Sequence, residues 1–478
     1  MSHPFHASMK PLWTASIFLA VALGSAACTT IGPDYRPATP AAPSAWTAPL
    51  PHDGKTSEMA HWWNQFDDPT VGRLVAMSEE DSPSLAKAWA SIEKARAALQ
   101  STRAGGFPSV TASASASRER TAGLPQVQTA RNAGFDASWE IDLFGKLRRN
   151  EEAAAARVEA RTGDWYDARV SLAAEVADTY VQWKACGLLV ESYEQELESN
   201  VQTDAATLAA VRAGLTASAD GALARASLAS ARSTLFDQRA QCDLLVKALV
   251  YLTGAEERPL RALLASAPPG LPEPQQVAVN AVPAEVIRQR PDLSSLEREL
   301  AAASAEIGAA EAALYPSLSL SGSVGVSATT GSPSSVWSFG PSISLPIFDG
   351  GERRAAVSSA EAAYRSAYAA YQLGVRQIIR DVEEAMVHLD SAVNRTQQAA
   401  IAESQYRVYF LATQSNWRAG NVSLLTLEEA RRSALSARIQ RITLQRDRIQ
   451  YWIALYKAVG GGWEPGQVAQ APASTPSP

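Results

Sequence analysis

Histidine and cysteine are scarce in this chain. Five histidines (His3, His6, His52, His61, His388) and three cysteines stand in 478 residues. The histidines are scattered without ligand-like spacing, so neither a metal site nor any other cofactor is expected. Charge is sparse as well: Asp, Glu, Lys and Arg make up 19% of the residues, below the usual quarter. The balance of 43 basic against 49 acidic residues leaves −6, which argues against a nucleic-acid partner. No Gly-rich phosphate loop and no Ser/His/Asp order occurs, so the chain is expected not to be an enzyme. Glu383 and Glu384 fall on a helical pattern where carboxylates are normally solvated. An uninterrupted apolar run of about 20 residues is also missing, which excludes a membrane-spanning helix. If this chain enters a membrane, it must do so as β-strands.

The N-terminus reads as a secretory signal, residues 1–27. Lys10 precedes an apolar run, Leu12–Leu23, and the small residues Gly24, Ser25, Ala26 and Ala27 follow. Cys28 then stands where a bacterial lipoprotein keeps its acylated first residue, although Ser25 replaces the usual Leu three positions earlier. One lipid group anchors only in part. A Pro-rich stretch follows, with Pro33, Pro37, Pro40, Pro43 and Pro49, and should run extended.

Beyond it lies an internal repeat. AGGFPSVTASASAS (Ala104–Ser117) resembles AALYPSLSLSGSVG (Ala312–Gly325). RAGLTASADGALARASLASAR (Arg212–Arg232) resembles RAGNVSLLTLEEARRSALSAR (Arg418–Arg438). Each half carries helix, strand pair, very long helix, tight turn and helix. The chain thus divides into the signal peptide (1–27), a lipid-anchored Pro-rich arm (28–60), a first repeat (61–267), a linker (268–283), a second repeat (284–462) and a disordered tail (463–478).

The strands alternate with period two. Phe135, Ala137, Trp139, Ile141 and Leu143 share one face, against Asp136, Ser138, Glu140 and Asp142. Trp337, Phe339, Ile343, Leu345 and Ile347 alternate with Ser338, Gly340, Ser342 and Ser344. Such a pattern suits lipid outside and water inside, or else a soluble two-sheet sandwich. In the barrel reading Asp136, Glu140 and Asp142 face the lumen, where they favour cations or serve only as solvated polar filler. The helices add weight to the barrel. Lys146 to Val211 and Glu352 to Trp417 contain no proline, and at 1.5 Å per residue each spans roughly 100 Å. Tyr371, Val375, Ile378, Val382, Ala385 and Leu389 form a coiled-coil seam. Shorter helices are expected over Thr70–Arg103, Ala217–Thr253, Pro291–Leu314 and Val422–Val459. Four strands cannot close a membrane barrel, so the protomer must oligomerise: three copies give twelve strands, and two give eight, a count that is permitted but whose interior side chains would fill.

HWWNQFDDPTVGRLV (His61–Val75), RPDLSSLERELAAASAEIGAAEAALYPSLSLSGSVG (Arg290–Gly325), the paired RAG turns and the order Cys28–Pro-rich arm–helix resemble the TolC-like outer membrane factor family. The likeness is strongest to its lipoprotein branch, which includes nodulation protein T, and covers residues 28–460. It implies an α+β membrane protein: a homotrimer with a shared 12-stranded outer-membrane β-barrel, a long α-helical periplasmic barrel and a mixed equatorial belt. The implied role is passive exit of small molecules through a tripartite efflux pump in a Gram-negative outer membrane. The implied partners are outer-membrane lipids, a periplasmic membrane-fusion adaptor and an inner-membrane transporter of the resistance-nodulation-division type. A type I secretion channel for a polypeptide cargo shares the architecture and is the alternative. The family's adaptor-contact turns map onto Arg212, Ala213, Gly214, Arg418, Ala419 and Gly420, which as helix ends suit a left-handed residue. Its periplasmic gate maps onto Leu425, Glu429 and Arg432, whose spacing puts them on one helical face, where an ordinary surface ion pair is the alternative. The segment Glu79–Ser82 (EEDS) departs from the family and is expected on a helix surface. Cys186 and Cys242 each lie 28 residues from Gly214. Antiparallel helices would bring them level, as a disulfide or as two separately buried thiols.

Overall fold

The computed structural model describes residues 30–49, 62–120, 127–273, 287–329, 332–461 and 463. Cys28, the signal segment, part of the arm and linker, and all of the tail except Trp463 lie outside the described residues. In chain order the elements are α1 (Pro69–Glu80), α2 (Pro83–Ala104), β1 (Ser109–Glu119), β2 (Gln128–Ile141), α3 (Lys146–Arg212), α4 (Ser218–Thr253) and α5 (Glu257–Ala265), then α6 (Pro291–Ala312), β3 (Ser317–Thr329), β4 (Ser332–Ser344), α7 (Glu352–Arg418) and α8 (Leu424–Ala458). The order helix–strand–strand–long helix–helix occurs twice, and α3 and α7 are both 67 residues long.

Two local departures from the sequence pattern have simple causes. The helix expected over Thr70–Arg103 is two helices, because Pro83 lacks an N–H and disfavours helical backbone just before it. The EEDS segment is therefore a helix junction. The Ser82 hydroxyl accepts the Leu85 N–H at 3.3 Å, and Glu79 pairs with Arg169 at 2.8 and 3.1 Å. The short helix α5 was not expected. Its Pro259 sits in the first turn, where a missing N–H costs nothing.

The chain forms two compact units. One takes Met1–Thr39, Ala90–Thr162 and Ser295–Gln372. It holds the antiparallel sheet, in the order β1-β2-β3-β4. Phe135 lies opposite Val324, and Val324 opposite Trp337. Beside the sheet, small residues let the helices approach closely: Ala153, Ala302 and Ala305 pack together. The arm is laid over this helix pair. Gly32, at φ +93°, meets Gly308 so closely that a Cβ would stand 2.2 Å from the Gly308 Cα. The buried Arg149 guanidinium donates to Ile31 O at 3.1 Å, Gly32 O at 3.2 Å and the Asp34 carboxylate at 2.8 Å. The Tyr35 hydroxyl donates to Glu297 at 2.5 Å, and the Tyr371 hydroxyl to Ala38 O at 3.2 Å.

The other unit takes Pro40–Trp89, Gly163–Ser294 and Leu373–Pro478 and contains the main apolar core. Leu74, Val176, Tyr180, Leu249, Val382, Met386, Trp452 and Ile453 are among its buried members. The expected seam residues of α7, Val375, Ile378, Val382, Ala385 and Leu389, are all buried. Arg290 of the RPDL segment caps the end of α8, donating to Lys457 O at 3.2 Å and Ala458 O at 2.8 Å. Glu383 is not a solvated filler. Its two carboxylate oxygens accept the N–H groups of Thr47 and Ala48, both at 2.7 Å.

Candidate functional site

Both RAG turns end their long helices in the same way. Gly214 and Gly420 have φ of +68° and +78°, the left-handed conformation that glycine adopts without strain. The Gly214 N–H donates to Val211 O at 3.1 Å, and that of Leu215 to Ala210 O at 2.9 Å. The Gly420 N–H donates to Trp417 O, and that of Asn421 to Asn416 O, both at 2.9 Å. This paired closure satisfies the orphan carbonyls of a helix end. Arg212, Ala213, Arg418 and Ala419 are exposed beside the glycines. Leu215 is 80% exposed, a large apolar group held at a helix tip without cover in the protomer.

Past the second turn, Ser423 caps α8 by accepting the Thr426 N–H at 3.2 Å. Leu425, Glu429 and Arg432 lie together on the exposed face of α8. The neighbouring face, one residue earlier, is buried. Arg431 there pairs with Glu428 and donates to Asn200 Oδ1 at 2.7 Å and Thr203 Oγ1 at 2.6 Å, which ties α8 to α3. The half-buried Glu196 carboxyl beside it is pushed above its ordinary range by desolvation, with the Arg431 charge opposing. Beside this network lies a cleft of about 360 Å³, lined by residues that include Glu403, Arg407, Phe410 and Arg438.

The three acids expected in a lumen separate in role. Asp136 is exposed on the polar face of β2 and accepts the Ser113 hydroxyl at 3.1 Å. Glu140 pairs with Lys146 at 2.9 Å. Asp142 lies beyond the end of β2 and accepts the N–H groups of Leu147 at 3.2 Å and Arg148 at 2.9 Å, so its charge rests on the positive end of α3. The polar face is otherwise serine-rich: Ser323 and Ser338 share a hydrogen bond at 2.8 Å. The opposite face is apolar and uncovered. Trp337, Phe339 and Ile343 are each more than 70% exposed. β1 and β4 each have one edge without a paired strand in this sheet.

Cys186 of α3 and Cys242 of α4 are joined by a disulfide, with their Cα atoms 5.6 Å apart. Equal distances from Gly214 place them level, as the antiparallel pairing requires. Among the described residues no group of His, Cys, Asp and Glu has metal-binding arrangement, and no described helix is long and apolar enough to cross a membrane.

Comparison with known proteins decides the meaning of this arrangement. The family described as outer membrane efflux protein matches residues 74–255 and 282–461, one segment in each repeat. The chain belongs to the outer membrane efflux protein family. Solvent efflux pump outer membrane protein SrpC of Pseudomonas putida is 29% identical to this outer membrane efflux protein over 479 residues, covering 94% of this chain and 98% of SrpC. Nodulation protein T of Rhizobium leguminosarum bv. viciae is 28% identical over 453 residues, covering 92% of each chain. Among solved structures, the outer-membrane channel OprN superposes with a TM-score of 0.83 at 32% identity, covering 91% of this chain and 100% of OprN. The four-stranded sheet and paired long helices are thus those of an outer-membrane channel.

Two features of this efflux protein escaped the sequence reading. The Glu428–Arg431 pair and the Glu429–Arg432 pair have the same spacing, so charge alone could not say which is buried. The signal was Leu424, Leu427 and Ala430, whose burial turns Arg431 inward. Arg149 carried no signal at all, because its partners in the arm, two backbone carbonyls and the Asp34 carboxylate, lie more than 100 positions away in sequence.

Proposed function

We propose that the chain is the passive exit duct of a tripartite efflux pump that exports small molecules across the outer membrane of a Gram-negative cell. Three copies join their sheets into a twelve-stranded barrel, and their helices continue as a tube into the periplasm. The observation that carries this reading is the sheet itself: one serine-rich face, one exposed apolar face and two outer strands that each leave one edge unpaired in the sheet. Such a sheet would be a hazard in water and becomes complete only when copies close on one another in lipid.

Further proposals attach to named residues. Cys28 carries the lipid anchor. The tips at Gly214 and Gly420 receive the adaptor, with Leu215 as an apolar contact, and the adaptor joins the duct to an inner-membrane transporter of the resistance-nodulation-division type. Leu425, Glu429 and Arg432 narrow the periplasmic entrance, where a leucine ring can exclude water and Glu–Arg contacts can hold neighbouring helices. The name of SrpC, a solvent efflux pump component, favours small apolar cargo over a polypeptide.

The test is the mass and conductance of the purified full chain. A detergent-dependent trimer that gives single channels in a planar bilayer is the expected result. A monomer soluble without detergent would end the proposal.

A further inference from the structure

The apolar face of the sheet ends in arginine. Along β1, Val110, Ala112, Ala114 and Ala116 share that face, and the same alternation carries on to Arg118 and, just past the strand, Arg120. Along β2, Trp139, Ala137, Phe135 and Ala133 share it, and Arg131 follows. Ala116 lies opposite Arg131, and Arg118 opposite Thr129. Arg118 and Arg131 are therefore diagonal neighbours on one face, within about 8 Å at the backbone. All three side chains are exposed, and among the described residues none has an acidic partner. Glu119, the nearest acid in sequence, points to the opposite face.

Their position along the strands is as informative as their charge. β1 follows a helix at Ser109 and β2 leads into one after Ile141, so Arg118, Arg120 and Arg131 stand at the end away from the helices. Arg131 is eight residues from Trp139, about 26 Å at 3.3 Å per residue. With the usual strand tilt this leaves about 20 Å of height, close to the apolar band of a membrane barrel. Trp139 marks the inner boundary of that band, and the arginines mark the outer one. An arginine there lays its stem along lipid and its guanidinium among headgroups. The outer leaflet of a Gram-negative outer membrane is built from a phosphorylated glycolipid, and the planar guanidinium fork matches a phosphate in two hydrogen bonds.

We propose that Arg118, Arg120 and Arg131 form an outward-facing site, repeated in each protomer, for the phosphate groups of the outer-leaflet glycolipid. This rests on the reading of the sheet as the lipid-facing wall of a barrel. The site fixes the height and leaflet of the barrel, because among the described strand residues the helical end of the same face carries no arginine or lysine.

The experiment uses the full chain in detergent, with native mass spectrometry to measure binding of bisphosphorylated lipid A, of lipid A stripped of phosphate, and of inorganic phosphate as competitor. Bisphosphorylated lipid A is expected to bind the wild type at least about tenfold more tightly than the variant Arg118→Gln/Arg120→Gln/Arg131→Gln, given the usual attraction of each basic residue to an anionic surface. The corresponding triple Lys variant is expected to fall between the two, because an ammonium keeps the charge and loses the two-pronged hydrogen bonding, and inorganic phosphate does not displace the lipid. Equal affinity of wild type and Gln variant, equal binding of the phosphate-free lipid, or displacement by inorganic phosphate would overturn the proposal. Insertion into phosphatidylcholine vesicles is scored separately. A chain that fails to insert overturns the barrel reading and this site with it, whereas insertion without phosphate preference overturns the site alone.

Discussion

The Arg431 guanidinium donates to Asn200 Oδ1 at 2.7 Å, although 231 positions separate the two residues. With the Glu428 pair and the Thr203 hydroxyl, this contact fixes the rotation of α8 against α3. Arg431→Met is expected to leave Glu428 buried without its counter-charge, at a cost of about 3 kcal/mol. The measurement is an apparent Tm by circular dichroism in detergent. Glu428→Gln added to Arg431→Met should recover part of the loss, because the orphaned charge is then gone. If the double variant melts no higher than the single one, the pair does not act as a unit.

Proton linkage gives a second prediction. The Asp167 carboxyl is pushed above its ordinary range, first by burial and then by the Asp292 charge, while Arg290 and Lys457 pull it down. The folded chain therefore holds this proton more firmly than the unfolded chain. Stability from the site is full below the unfolded pKa of about 4 and is lost as pH rises through the higher folded value. Asp167→Asn is expected to melt above the wild type at neutral pH, with the difference vanishing as pH falls toward 4. A variant that melts lower at neutral pH would show that Arg290 needs the carboxylate.

The Cys186–Cys242 disulfide joins residues 56 apart in sequence. In the chain-entropy account a loop of that size is worth about 4 kcal/mol. Denatured, unreduced protein is expected to expose neither thiol, and reduction to expose both. Cys186→Ser/Cys242→Ser should lower the apparent Tm by several degrees. Free thiols at both positions in protein isolated from an oxidising periplasm would refute the bond.

For the entrance, Glu429→Ala/Arg432→Ala is expected to raise single-channel conductance in planar bilayers. Stability should change by less than about 1 kcal/mol, since both groups are exposed in the protomer. Conductance equal to that of the wild type removes these residues from the gate.

At the other end of the chain, Cys28→Ser is expected to abolish metabolic labelling with palmitate. The protein should nonetheless fractionate with the outer membrane, because one acyl anchor is weak beside a barrel. Labelling that persists would place the acyl group elsewhere.

Much of the fold was legible because it is repetitive and periodic. The long proline-free runs became α3 and α7, the alternating segments became β1 to β4, and the two RAG turns became matched helix ends. Less was legible where the outcome depended on rotation or on distant backbone. The segment LLTLEEARR (Leu424–Arg432) holds two acid–base pairs one residue apart, and a shift of one residue on a helix is a turn of about 100°. Only packing against α3 selects Arg431 for the interior. Likewise Asp142 continued the alternation of β2 in sequence, but the strand stops at Ile141 and the carboxylate serves the next helix. Glu383 looked like a solvated charge because its partners, two N–H groups of the arm, have no sequence signature.

The arm has one more implication. Tyr35 meets Glu297 across 262 positions, and Thr47 meets Glu383 across 336. The arm thus waits for surfaces synthesised much later. Contacts so remote in sequence form slowly. Maturation of the protomer should end with the belt of residues 30–49 being buckled, and the Gly32–Gly308 approach leaves no slack in the buckle for any bulkier residue.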